Sequence, residues 1–224
     1  LNPRIGAFND FIRDSMKGRV FDDSSTGFVQ AGNYQEQPAD CPVYKDEDTM
    51  AALQGNTNEE LPDRWAAAPS HVISYVSAHD DLNLYDKLQY SVNNVTEAGS
   101  DDYYKRDENL VKMNKMAAAA VLTSQGASFF YAGEEMARSK GGDSNSYNSP
   151  LYYENGNELN AINWERMTEF SDLLDYYKGL IELREAYAPF RASDMTTIEN
   201  MTFSDDDIGN LVAYTISSPE AKWD

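Results

Sequence analysis

Three clusters in this chain bring together side chains that exchange protons or hold a ligand. His79-Asp80-Asp81 sets an imidazole beside two carboxyls, and Glu134-Glu135 is a second acid pair. Asn9-Asp10 and Arg13-Asp14 mix amide, acid and guanidinium. Carboxyl groups can act as nucleophile, general acid or charge stabiliser, their roles divided by environment. A fourth segment, Arg138 to Asn148, includes Asn145, Asn148 and Tyr147 among several hydroxyls. Such groups suit a ligand rich in hydroxyls, and they equally suit a turn-rich loop that caps itself. Each cluster also has a plain reading. His79-Asp80-Asp81 after a strand is, taken alone, more often a loop cap or turn than a catalytic site, and the pairs Asn9-Asp10 and Arg13-Asp14 read as caps and ion pairs. His71, after Pro69-Ser70, reads as a surface or packing residue. Cys41 is the only cysteine, which excludes an internal disulfide and the paired-cysteine metal and redox patterns.

Charge narrows the partners. Eighteen Lys and Arg stand against 38 Asp and Glu, a net charge of −20. That surface repels phosphate backbones and anionic lipid, so nucleic acid and membranes are poor partners, while a neutral polymer is permitted. No apolar run reaches the roughly 20 residues that a spanning helix needs. Hydrophobic residues make up 41% of the 224, enough for a core, which argues against disorder of the whole chain. Leu1-Asn2-Pro3-Arg4 resembles neither an initiator methionine nor a signal peptide, and a strand-like run stops shortly before Asp224. Both ends read as cut, the chain as a fragment, and its compartment as open.

The elements that must position these clusters can be read from hydrophobic pattern. Ile5 to Phe8 is a short apolar run leading into Asn9-Asp10, and Phe11 to Arg19 suits a helical turn. Asp22 to about Asn58 is polar and irregular apart from a short helix expected at Asp46–Leu53. Val72 to Ser77 is β-branched and aromatic, the pattern of a strand buried on both faces. Glu108 to Thr123 carries Leu110, Met113, Met116, Ala117, Ala120 and Val121 at helical spacing, with Gly126 as its stop. The two Met and the Ala run read as helix core. Ala127 to Tyr131 is the next strand, and Phe170 to Tyr187 a second amphipathic helix. Trp164 is expected in the core, whereas Trp65 and Tyr103-Tyr104 could stack on a ring-shaped ligand or pack under loops.

Strand, loop, helix, repeated, is the rhythm of a parallel α/β sheet. The polar clusters fall just past the C-terminal ends of the strands, where a (β/α)8 barrel builds its sites. An open doubly wound sheet is disfavoured, because neither GxGxxG nor a Walker motif occurs. Three strands cannot close a barrel of eight, so about five are expected upstream of Leu1. The expected division is 1–192 as the C-terminal part of a (β/α)8 barrel and 193–224 as the beginning of a C-terminal β domain.

The stretch Tyr75-Val-Ser-Ala-His79-Asp80-Asp81-Leu-Asn-Leu-Tyr85-Asp86-Lys87-Leu88 resembles the fourth signature region of the α-amylase superfamily, in the form found in type I pullulanases. Phe8 to Gly18 is similar to the sixth-strand region of that group. Phe129 to Lys140, followed by Gly142 to Ser149, is similar to its eighth strand and loop, and Asn160-Ala-Ile-Asn163-Trp164 to a motif before the last barrel helix. Several matches in order are more specific than any one.

The resemblance implies a glycoside hydrolase acting on α-1,6-glucosidic branch links in α-glucan polysaccharides or oligosaccharides, with retention of configuration and no organic cofactor. It implies that Asp80 stabilises the transition state, and that His79, Asp81, Arg138, Asn145 and Asn148 bind substrate. Glu134 would be structural, holding the rim by hydrogen bonds. A calcium ion is allowed by the same analogy, with no ligands assigned. The fourth-strand nucleophile and fifth-strand acid have no match here, so both fall to the rest of the polypeptide, upstream of Leu1. Departures from the family pattern are Asp81 for Asn, Tyr85 for Trp, and Ala127-Ser128 for Ile-Pro. The alternatives are an isoamylase- or neopullulanase-like α-glucan hydrolase and, in a different class, a barrel-derived binding protein without catalysis.

Overall fold

The computed structural model describes residues 5–30, 46–57, 65–148, 159–204 and 211–218. Three parallel strands form its central sheet in the order β1 (Ala7–Asn9), β2 (Val72–Ser74), β3 (Ala127–Ser128). The register pairs Ala7 with Val72, Asn9 with Ser74, and Ser74 in turn with Ser128. Helices follow the strands: α1 (Asp10–Lys17) after β1, α3 (Leu84–Asn93) and α4 (Glu108–Thr123) after β2, α5 (Arg166–Glu169) and α6 (Ser171–Ala186) after β3. The short α2 (Asp46–Leu53) precedes β2 with the bounds expected from the sequence. A last helical turn, α7 (Thr196–Glu199), leads into a separate antiparallel pair, β4 (Met201–Phe203) with β5 (Tyr214–Ile216).

The ladder is shorter than the apolar runs suggested. β1 ends at Asn9, whose side chain accepts from the Phe11 amide and starts α1 directly, so β2 loses its partner at Ser74. On the other edge only the Phe129 amide, donating to the Ser74 carbonyl, continues the pairing.

α4 has the bounds that its periodicity dictates. Asp107 caps it by accepting from the Asn109 and Leu110 amides, and Leu110, Val111, Asn114, Ala117, Ala118, Val121 and Leu122 form its buried face. α6 packs on that face through Leu173, Tyr177 and Leu180, joined in the same core by Tyr85, Leu88 and Phe170. The helix ends at Ser124 rather than Gly126. Gly126 (φ +101°) is needed two residues later, where a Cβ would lie 2.8 Å from the Val72 carbonyl oxygen. Arg184 of α6 seals this corner by donating to the carbonyls of Leu122, Ser124 and Gly126.

Several side chains lie elsewhere than expected. Met116 turns outward from α4, off the 110–114–117–121 stripe, and Trp164 is 64% exposed in the turn before α5. Tyr103, by contrast, is buried and donates to the Val95 carbonyl, so it offers no stacking face; Tyr104 beside it remains exposed. His71 is a packing residue, buried at the entrance to β2. Cys41 lies outside the described residues. Among those described, no helix is long and apolar enough to cross a membrane.

Candidate functional site

The parallel register brings Asn9-Asp10, His79-Asp80-Asp81 and Glu134-Glu135 to one end of the sheet, yet the three clusters differ in exposure. At β1 the polar groups are engaged with each other. Arg13 donates to Asp10 at 3.0 Å, to Asp14 at 2.5 Å and to the Tyr75 hydroxyl at 2.8 Å, while Tyr75 donates to Asp10. Burial, and then the bond to Asp10, push the Tyr75 hydroxyl up to about 12. Asn9 is fully buried, its amide donating to Asn56. These are the caps and ion pairs that the plain reading described.

At β3 the acid turns inward. Glu134 is buried, receiving hydrogen bonds from the Ser77 hydroxyl at 2.5 Å and the Tyr177 hydroxyl at 2.8 Å. Desolvation outweighs those bonds and raises its carboxyl to about 7. It ties β2, β3 and α6 together, the structural role expected of it.

Past β2 the turn opens to solvent. His79 Nε2 lies 3.3 Å from Asp80 Oδ1, with side chains 68% and 72% exposed. Asp81 adopts a left-handed conformation (φ +57°), tolerable for Asp, and reverses the chain. Its carboxyl is raised, chiefly by partial burial; nearby Lys17 opposes the shift and the Asp80 charge adds to it. Asn83 then caps α3 by accepting from the Asp86 amide. The turn therefore presents two exposed side chains that can accept from and donate to a ligand, on a backbone set between two regular elements.

The residues expected from the loop after β3 are distributed differently. Arg138 is buried: its guanidinium lies 4.2 Å from the Tyr131 ring centroid and donates to the carbonyls of Ala132 and Asn160. Those bonds hold loop to loop, so this side chain shapes the rim from within. Asn145 and Asn148 are exposed and close a turn, with Asn145 donating to Asn148 at 3.3 Å and Asn148 to Asp143 at 3.0 Å. Ser146, between them, donates to the His79 carbonyl, which sets this turn against the Asp80 segment. Among the described residues no three His, Cys, Asp or Glu side chains are grouped to hold a metal ion.

Sequence reading missed two features. Tyr85, where the family has Trp, uses its hydroxyl to donate to the Lys105 carbonyl and to accept from the Asp107 amide. Lys140 reaches the backbone of the His79 turn, and no local signal announces a lysine whose partners are carbonyls some 60 positions away.

A parallel α/β sheet with acids and an imidazole gathered past its strand ends belongs to the class of α/β proteins that build ligand sites on that rim. No family model matches the chain. Relatives do. It is 30% identical to the pullulanase of Bacillus subtilis over 218 residues, 96% of this chain and 26% of that protein. The structure of the pullulanase from Bacillus acidopullulyticus superposes with a TM-score of 0.73 at 33% identity, covering 94% of this chain and 22% of the other. That of the Paenibacillus barengoltzii pullulanase, in complex with maltohexaose and alpha-cyclodextrin, gives 0.74 at 32% identity, covering 95% and 29%. The chain belongs to the pullulanases, and it spans about a quarter of the length of the relatives it matches.

Proposed function

We propose that this chain is the last three strands and helices of a (β/α)8 catalytic barrel, with residues from 193 onward opening a C-terminal β domain. In the longer polypeptide it would serve hydrolysis of α-1,6-glucosidic branch links in an α-glucan. The observation that carries this reading is the outward His79–Asp80 pair at the end of β2, in a chain related to pullulanases along nearly its whole length.

Breaking a glycosidic bond passes through an oxocarbenium-like state, served by a nucleophilic carboxylate and an acid from the two faces of the sugar. Both would come from upstream. Asp80 supplies a third carboxylate, which hydrogen-bonds ring hydroxyls more strongly as positive charge develops, and so favours the transition state over the substrate. His79 donates to the same sugar, and Asp81 lines the pocket beside it. Asn145 and Asn148, exposed on the facing turn, are the amides within reach of a bound chain. Arg138 acts indirectly, by fixing the loop that carries them. The complex of the Paenibacillus barengoltzii relative with a maltooligosaccharide supports an α-glucan as the ligand.

Incubating the longer polypeptide with pullulan and with a linear α-1,4-glucan separates the readings. Reducing ends should appear from pullulan and from branched glucan, with little from the linear polymer. Equal attack on the linear glucan would favour a neopullulanase-like hydrolase, and glucan binding without cleavage would favour a non-catalytic barrel.

A further inference from the structure

We propose that Lys140 is a positioning residue for Asp80, holding the turn from beneath so that its carboxylate faces the sugar. This rests on the role assigned to Asp80 above. Lys140 is 1% exposed although it carries an ammonium group. Its Nζ donates to the His79 carbonyl at 2.9 Å, to the Asp81 carbonyl at 2.8 Å and to Ser146 Oγ at 3.2 Å. An ammonium has three protons, and here three oxygens receive them. Lys17, equally buried, donates to the next carbonyl, that of Leu82, at 3.2 Å.

The geometry has a direct consequence. With the carbonyls of His79, Asp81 and Leu82 drawn inward, the side chains of His79 and Asp80 are left outside, where both are exposed. The lysine is itself fixed: its amide and that of Gly142 donate to the buried Asp86 carboxylate at 2.7 and 3.3 Å. Desolvating a lysine is costly, and an apolar residue would fill the space with less penalty. What the ammonium adds is a fixed position for one turn, and that turn carries the exposed acid.

The test uses the longer polypeptide with pullulan as substrate and maltotetraose as the binding probe. Lys140→Met keeps the length and removes the donors. Its kcat should fall on the order of 100-fold, the loss that about 1 Å of misplacement brings, while maltotetraose affinity changes little. The same substitution in an Asp80→Asn background should cost no more than about threefold, because groups that act as one unit are not additive. A general structural defect would lower kcat equally in both backgrounds, and that result overturns the proposal, as does an unchanged kcat in the single variant. Should Lys140→Met not fold, Ser146→Ala removes one leg of the same cradle from a partly exposed position. It should give a smaller kcat loss that likewise vanishes beside Asp80→Asn, and an equal loss in both backgrounds would again overturn the proposal. Asp80→Asn alone reports on the site itself: normal turnover there refutes the role of Asp80, whatever Lys140 does.

Discussion

Asp80→Asn in the longer polypeptide is expected to lower kcat on pullulan by about 100-fold or more, in line with the loss of one preorganised electrostatic group. The substitution keeps the shape of the side chain and one accepting oxygen, removes the charge and turns the second oxygen into a donating NH2. Because that charge matters most as the oxocarbenium ion develops, affinity for maltotetraose should stay near its original value. Asp81→Asn is the control. It restores the residue usual in the family, and its side chain sits on the left-handed residue of the turn, a conformation that Asn adopts as readily as Asp. Turnover should survive. If Asp81→Asn abolishes activity while Asp80→Asn does not, the signature has been read one position out of register.

The second large effect concerns stability rather than rate. Glu134 is buried, and its carboxyl is raised from 4.5 to about 7. Between those values the folded state holds a proton that the unfolded state has released, so stability falls as pH rises through the window. Below about 4.5 this group carries no penalty, and above about 7 the penalty is complete. Asp86, raised to about 6 by burial, adds a slope of the same sign over a lower window. Lys17, lowered to about 7 by burial, acts on the other side, restoring stability as pH rises above that value. Glu134→Gln remains neutral throughout; its amide oxygen can accept from one of the Ser77 and Tyr177 hydroxyls, and its NH2 can donate to the oxygen of the other. Relative to the parent it should gain on the order of a few kcal/mol between pH 5 and pH 8, since each pKa unit corresponds to about 1.4 kcal/mol. Urea denaturation midpoints at the two pH values measure this. A constant difference between variant and parent would mean that Glu134 does not titrate in this range.

The sequence made visible what periodicity and capping encode. α4 runs over the stretch whose apolar spacing and Asp107 cap define it, and α2 has its expected limits. α3 went unseen for a physical reason: Leu84 to Gln89 are buried as six consecutive residues, including Asp86 and Lys87. A helix surrounded on all sides leaves no polar stripe for a 3.6-residue period to reveal. The acids of the rim were legible as chemistry, but their orientation was not. Nothing in Asp80 and Glu134 as residues says that one faces water while the other is sealed under Ser77 and Tyr177. Arg138 shows the same limit. Its type suits a sugar ligand, and only the loop geometry directs its guanidinium to the carbonyls of Ala132 and Asn160. Trp164 marks the opposite case, a large aromatic expected inside and found 64% exposed.

The most direct measurement is a crystal structure of the longer polypeptide with maltotetraose bound. An Asp80 carboxylate oxygen is expected within about 3.2 Å of a ring hydroxyl, with His79 donating to the same sugar and Lys140 still bonded to the carbonyls beneath. A sugar bound at the ends of the strands with Asp80 turned away into bulk solvent would contradict the assignment.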